Sequence, residues 1–149
     1  MNTSQMTKAT QAAQTTWLII ASLLSQLAVW VAFVSQYGDS REIDGACFRS
    51  APDTAVFIGE YPQVVADVTF MPIGRACIYE ATTGGTITVQ TGEAVIALAV
   101  IGTAVCLVAA ITAWSRWKRL TPMQRLLPGV ALFFLALGWL TIWLHAAGR

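Results

Sequence analysis

Three long stretches of this chain are uncharged, and their lengths set the first expectation. From Trp17 to Ser35 no charged residue occurs, and at 1.5 Å per residue a helix of that length reaches roughly 28 Å, close to a hydrocarbon core of about 30 Å. From Ala94 to Trp114 the chain reads AVIALAVIGTAVCLVAAITAW, and the basic group Arg116, Lys118 and Arg119 follows closely. From Leu126 to Ala146 it reads LLPGVALFFLALGWLTIWLHA, apolar apart from Thr141 and His145. Each stretch predicts a transmembrane helix.

Between the first and second stretches the texture changes to short β-prone runs: Thr54 to Ile58, Gln63 to Phe70, Arg75 to Ala81 and Thr86 to Gln90. Pro52, Gly59, Pro62, Pro72, Gly74, Gly84 and Gly85 bound them. Thr86-Ile87-Thr88-Val89-Gln90 alternates as a strand with one buried face does, and Gly84-Gly85 suits a turn back onto Arg75 to Ala81. The expected fold class is therefore a membrane all-α protein of three transmembrane helices, with a small disulfide-linked, β-rich extracytoplasmic loop between helices one and two. The segments are 1–16, a cytoplasmic tail; 17–35, helix one; 36–92, the loop; 93–114, helix two; 115–125, a basic cytoplasmic link; 126–146, helix three; and 147–149, an extracytoplasmic C-terminus.

Composition agrees with a bilayer. The chain is 56% hydrophobic and 11% charged, against roughly 45–50% and 25% in soluble domains. A cleaved signal peptide is the rival reading of the first stretch. Its apolar run exceeds the usual 7–15 residues and no small-x-small site follows, since Ala32, Phe33 and Val34 break that pattern, so an uncleaved anchor is expected. Trp17, Trp30, Trp114, Trp117, Trp139 and Trp143 lie mostly near the expected span ends, where indole rings favour headgroups. Many Arg, few Lys and one Asn in an Ala-rich chain hint at a GC-rich bacterial genome.

Charge sets the orientation. The short link carries Arg116, Lys118, Arg119 and Arg125 with no acid, whereas 36–93 carries only Arg41, Arg49 and Arg75 as basic residues. The positive-inside rule makes the link a cytoplasmic anchor in a multi-pass cell-membrane protein, with the N-terminus inside and the C-terminus outside. Every acid, from Asp39 to Glu93, then falls outside.

Within the second stretch Val95, Ala99, Gly102, Cys106, Ala109 and Ala113 recur at steps of four and three, a stripe of small residues that lets helix backbones approach closely. It serves either packing within the chain or a seam for another subunit. Thr121-Pro122-Met123-Gln124 has the form of a capping box with proline at the first helical position. Pro128 removes a donor inside the third helix, and a modest kink is expected there.

Candidate chemistry is sparse. Cys47 and Cys77 are the cysteines of the loop, and an oxidising compartment favours joining them. Cys106, in mid-span, reads as a packing residue. Gln26, Glu93 and His145 are the polar candidates in or beside the spans, Glu93 and His145 at one expected depth. No HExxH, phosphate loop, GxSxG or Ser/His/Asp set is present, and one histidine excludes a bis-histidine haem within one chain. No catalytic residue, metal or cofactor is expected, and the short basic cluster suits anionic headgroups rather than nucleic acid. The expected partners are the bilayer and other membrane subunits. The expected function is a non-catalytic accessory or assembly subunit of a larger complex. Two alternatives stand beside it: a stand-alone binding or immunity/exclusion protein acting through the loop, and a small homo-oligomeric channel lined by Gln26 and the Gly102 stripe.

Overall fold

The computed structural model describes residues 3–116 and 120–148, with side chains from residue 13 onward. Lys118 and Arg119 of the basic anchor, Trp117, Arg149 and the side chain of Lys8 lie outside the described residues. In chain order the elements are α1 (Thr3–Ser25), α2 (Leu27–Arg41), α3 (Ile43–Arg49), β1 (Phe57–Ile58), β2 (Tyr61–Pro62), β3 (Val64–Thr69), β4 (Gly74–Glu80), β5 (Thr86–Gln90), α4 (Glu93–Ser115) and α5 (Pro122–Ala147). Among the described residues, three helical stretches are long and apolar enough to cross a membrane: Ala13–Arg41, Glu93–Ser115 and Pro122–Ala147. By that measure the chain is a multi-pass membrane protein.

The helices overrun the uncharged stretches. α1 begins at Thr3, well before Trp17, and α2 continues past Ser35 to Arg41, with the short α3 directly behind it. The first part of segment 36–92 is thus helical and the β region starts only at Phe57. The reason is visible in burial. Val29, Ala32, Gln36, Ser40, Ile43 and Cys47 are all buried, at steps of three or four, so one helical face stays covered after the residues turn polar.

The chain divides into two compact units, Met1–Trp30 with Leu98–Trp139, and Val31–Ala97 with Leu140–Arg149. Among the described residues the first contains helices and no strand. Its α1 and α2 are separate because the helical ladder lapses at Gln26, where the Val29 N–H reaches the Gln26 carbonyl across three residues (3.2 Å). Ser22 and Ser25 each turn a hydroxyl back onto the carbonyl three residues earlier, a habit that bends helices. The small residues of α4 lie inward: Ala99, Gly102, Cys106, Ala109 and Ala113 are all buried, with Gly102 at this break. A Cβ at Gly102 would stand 2.5 Å from Ala28 Cβ and 2.7 Å from the Ser25 carbonyl oxygen, so only glycine permits this approach. The Cys106 thiol donates to the Ser22 carbonyl (3.3 Å).

Tryptophans tie the same unit together. Trp30 Nε1 donates to the Phe134 carbonyl (3.2 Å), Trp114 Nε1 to the Arg125 carbonyl (3.2 Å) and Trp139 Nε1 to Thr103 Oγ1 (2.9 Å). Three indoles expected to reach headgroups thus spend their N–H groups between helices, whereas Trp17 is 69% exposed. α5 opens on a formed capping box: Gln124 N–H donates to Thr121 Oγ1 (3.4 Å) and Thr121 N–H to Gln124 Oε1 (3.1 Å). The helix runs on through Pro128 without interruption.

The second unit holds the β lobe. β3, β4 and β5 form an antiparallel sheet in that order, and β1 and β2 form a separate hairpin. Gly84 and Gly85, at φ 85° and 91°, turn β4 into β5. Cys47 of α3 and Cys77 of β4 are joined by a disulfide, their Cα atoms 5.5 Å apart. Around it lie Ile43, Ala55, Val68 and Tyr79, all buried, and the Tyr79 hydroxyl donates to the Cys47 carbonyl and meets Ser50 Oγ (3.2 Å). The sheet docks on α2 through Gln36 Nε2, which donates to the Thr69 carbonyl (2.9 Å), and through the Arg75–Asp39 ion pair (3.5 Å).

Candidate functional site

The surface of the β lobe carries the feature least expected of a water-facing domain. β1 is two residues long and both are exposed, so neither face of that strand is covered. Gly59 at φ 67° and Glu60 make the two-residue turn between Ile58 and Tyr61, with the sign pattern of a type II′ hairpin. The tip presents Ile58 (66% exposed) and Tyr61 (65%), with Phe57 on the same strand. Phe48, from the last turn of α3, sets its ring against Tyr61 edge to face, centroids 5.1 Å apart. Phe48, Tyr61 and Ile58, which pairs with Tyr61 across the hairpin, thus share one exposed face, while Phe57 is exposed on the other.

An isolated two-stranded hairpin is marginal in water. Here its base is fastened: Val56 N–H donates to the Glu80 carbonyl (2.7 Å), Gln63 N–H to the Val56 carbonyl (2.9 Å) and Glu80 N–H to the Gln63 carbonyl (3.3 Å). Pro62 is buried, and α3, which carries Phe48, is cross-linked to β4 by the disulfide. The tip is thus held in place before anything binds it, which lowers the ordering cost of association.

A recess of the same unit, about 360 Å³, lies between the β3–β4 connection and the end of α5, with Thr69, Met71 and Trp143 among its walls. Its one charged residue, Asp67, accepts from the Val68 N–H (2.8 Å), which uses one carboxylate oxygen on the local backbone.

The polar candidates fall in different surroundings. Gln26 is 9% exposed at the α1–α2 break, and its Oε1 has no hydrogen-bond partner. Glu93 stands exposed in the first turn of α4, where a carboxylate complements the helix dipole. His145 is half-buried: its Nε2 lies 3.1 Å from Ser40 Oγ, and the Phe33 and Tyr37 rings stand 6.1 and 5.8 Å away. Ser40 Oγ donates to the Tyr37 carbonyl (2.7 Å), an arrangement that fits the tautomer with the proton on His145 Nε2. Among the described residues no group of three His, Cys, Asp or Glu side chains is placed to hold a metal ion. Of the basic anchor, Arg116 and Arg125 are described; Arg125 Nε donates to the Leu120 carbonyl (3.2 Å).

The sequence pattern had marked 54–58 as a strand but not as a surface. The available signal was the run Ala55-Val56-Phe57-Ile58, which has no polar alternate and so no residue suited to water on either face. The buried pair Gln36 and Ser40 was likewise unmarked, although both continue the helical stripe from Val29. Comparison with protein-family models, with curated proteins and with solved structures finds no match to this chain, so its function is argued from its own residues.

Proposed function

We propose that the chain is a non-catalytic accessory subunit of a larger membrane complex, anchored by three helices and docking its partner through the exposed hairpin tip of an extracytoplasmic lobe. The observation that carries this reading is the exposed Phe48–Tyr61 ring pair with Ile58 across the hairpin from Tyr61, on a lobe whose backbone is fixed beneath them. Aromatic side chains on a rigid support are the residues that dominate association energies. The orientation rests on Arg116, Lys118, Arg119 and Arg125 in the short link, which belong in the cytoplasm and put the N-terminus with them. The cystine agrees, since an oxidising compartment is where it forms and persists. A non-catalytic role agrees with a sequence that has no HExxH, phosphate-loop or GxSxG motif.

The test is affinity purification of the tagged full-length chain in mild detergent from its native membrane, with mass spectrometry, for the wild type and for Ile58→Asp with Tyr61→Asp. A stoichiometric membrane partner is expected with the wild type and is lost in the variant, while a non-reducing mass shift shows the Cys47–Cys77 bond intact in both. A partner retained by the variant removes the tip from the interface. Isolation of the wild type alone overturns the subunit reading and leaves the lobe as an autonomous binding or exclusion surface.

A further inference from the structure

Along the all-helical unit, α1 and α4 enclose a groove. Its apolar part, about 370 Å³, is lined by Leu18, Ala21, Ala104, Val105, Val108 and Ala109. Leu18 and Ala21 are shared with a second part, about 540 Å³, to which Gln14, Trp17, Thr112 and Arg116 contribute. The two parts are therefore one continuous depression, floored where Ala21, Ala104 and Ala109 replace the large side chains found elsewhere on these helices. Its chemistry is graded: hydrocarbon alone at the Ala104 end, and a guanidinium, an amide and an indole at the other.

Length and charge select the occupant. From Val105 to Arg116 a helix rises roughly 16 Å, about half of a hydrocarbon core. A transmembrane helix of a partner would need a track about twice as long, whereas one leaflet's acyl chain matches it. Charge narrows the choice further. Residues 1–30 and 98–139 contain no Asp or Glu, yet carry Lys8, Arg116, Lys118, Arg119 and Arg125. Arg116, half-buried at the polar end of the groove, therefore has no carboxylate within its own unit. The Thr112 hydroxyl beside it is occupied with the Val108 carbonyl (2.6 Å) and offers its lone pairs, not its proton. An anion is wanted there, and a partner's acidic side chain at the membrane is a costly source compared with a lipid phosphate.

We propose that the α1–α4 groove is a binding site for one anionic phospholipid, its acyl chain along Leu18, Ala21, Ala104, Val105, Val108 and Ala109 and its phosphate on Arg116, with Gln14 and the exposed Trp17 at headgroup level. The site is independent of the hairpin tip and of any protein partner.

The experiment is native mass spectrometry of the purified full-length protein, delipidated and then titrated with phosphatidylglycerol or phosphatidylcholine of the same acyl chains. Wild type is expected to retain one phosphatidylglycerol with at least about fivefold preference over phosphatidylcholine, the factor of one basic residue at an anionic surface. Arg116→Gln brings the ratio near one, and Ala21→Leu with Ala104→Leu, which fills the floor, lowers retention of both lipids. Arg125→Gln, whose guanidinium is turned to Leu120, keeps the preference. Equal retention of the two lipids by the wild type overturns the site, and that comparison needs no variant to fold. So do an undiminished preference in Arg116→Gln, displacement of the bound lipid by inorganic phosphate alone, and a dimer that forms in place of the lipid adduct.

Discussion

The all-helical unit and the β lobe solve the same problem, holding elements together, with different means. In the helical unit the close contacts are made by what is missing: Gly102 brings α4 against Ser25 and Ala28 at the α1–α2 break, and Ala99, Ala109 and Ala113 are buried along the same stripe, because they have little or no side chain. Its interhelix hydrogen bonds come from indoles and a thiol, and the unit contains no acid with which to make an ion pair. The lobe instead uses a covalent bond, a buried tyrosine hydroxyl and an ion pair. Lipid removes the hydrophobic drive between helices and leaves packing to do the holding, so small residues become the decisive ones. A lobe of a few short strands has too little interior for burial alone to suffice, so a cross-link becomes decisive.

The comparison sharpens most at the disulfide. Replacing Cys47 and Cys77 together by Ala removes a constraint on residues separated by 30 positions, worth about 3.5 kcal/mol in the chain-entropy estimate. Amide hydrogen exchange in β3 to β5 should then accelerate by up to about 300-fold while that of residues 98–115 in α4 stays as it was. Unchanged exchange in the sheet would mean that Tyr79 and its neighbours hold the lobe unaided.

The next effect belongs to the helices. Gly102→Ala should cost about 1–3 kcal/mol, since the new methyl meets the Ser25 carbonyl and Ala28 and one helix must move. Gly129→Ala is its control: the nearest atom to an added Cβ there is 3.7 Å away, and the gain in helix propensity should make it neutral or mildly stabilising. Unfolding in bicelles by graded addition of sodium dodecyl sulfate, followed by tryptophan fluorescence, reads both. Equal behaviour of the two glycines would deny the stripe its special role.

Tyr79→Phe keeps the ring and deletes the hydroxyl that serves Cys47 and Ser50, at a cost of about 1–2 kcal/mol. Thermal melting of the oxidised protein, followed by near-ultraviolet circular dichroism, should register it. Asp39→Asn should matter least, below about 1 kcal/mol, because the Arg75 pair is long at 3.5 Å and its carboxylate is about a third exposed. A larger loss on raising the salt concentration in the wild type than in Asp39→Asn would identify the residual effect as the ion pair.

Much of this was legible in the chain. Uncharged length marks the three spans, Thr121 and Gln124 mark the start of α5, and β-prone runs between Gly and Pro mark β3, β4 and β5 within a residue or two. These features are local, set by residues a few positions apart. The continuation of α2 to Arg41 and the existence of α3 were not read, because charge at Asp39 and Arg41 ends an apolar run without ending a helix. The helix persists because Gln36 finds the Thr69 carbonyl and Ser40 is covered beside His145. Those partners are more than 30 residues away.

Thus the residue order alone determined the number of membrane-length helices, the capping of α5, the strand positions and the presence of two cysteines able to pair, since hydropathy, turn chemistry and reach along the chain are properties of short segments. Only the tertiary structure decided that Gly102 faces the Gln26 break, that three tryptophans bond between helices, and that Phe48 meets Tyr61 at an exposed tip. Each of these depends on which distant surfaces meet, and a one-dimensional pattern sets which face of an element is apolar without setting what covers it.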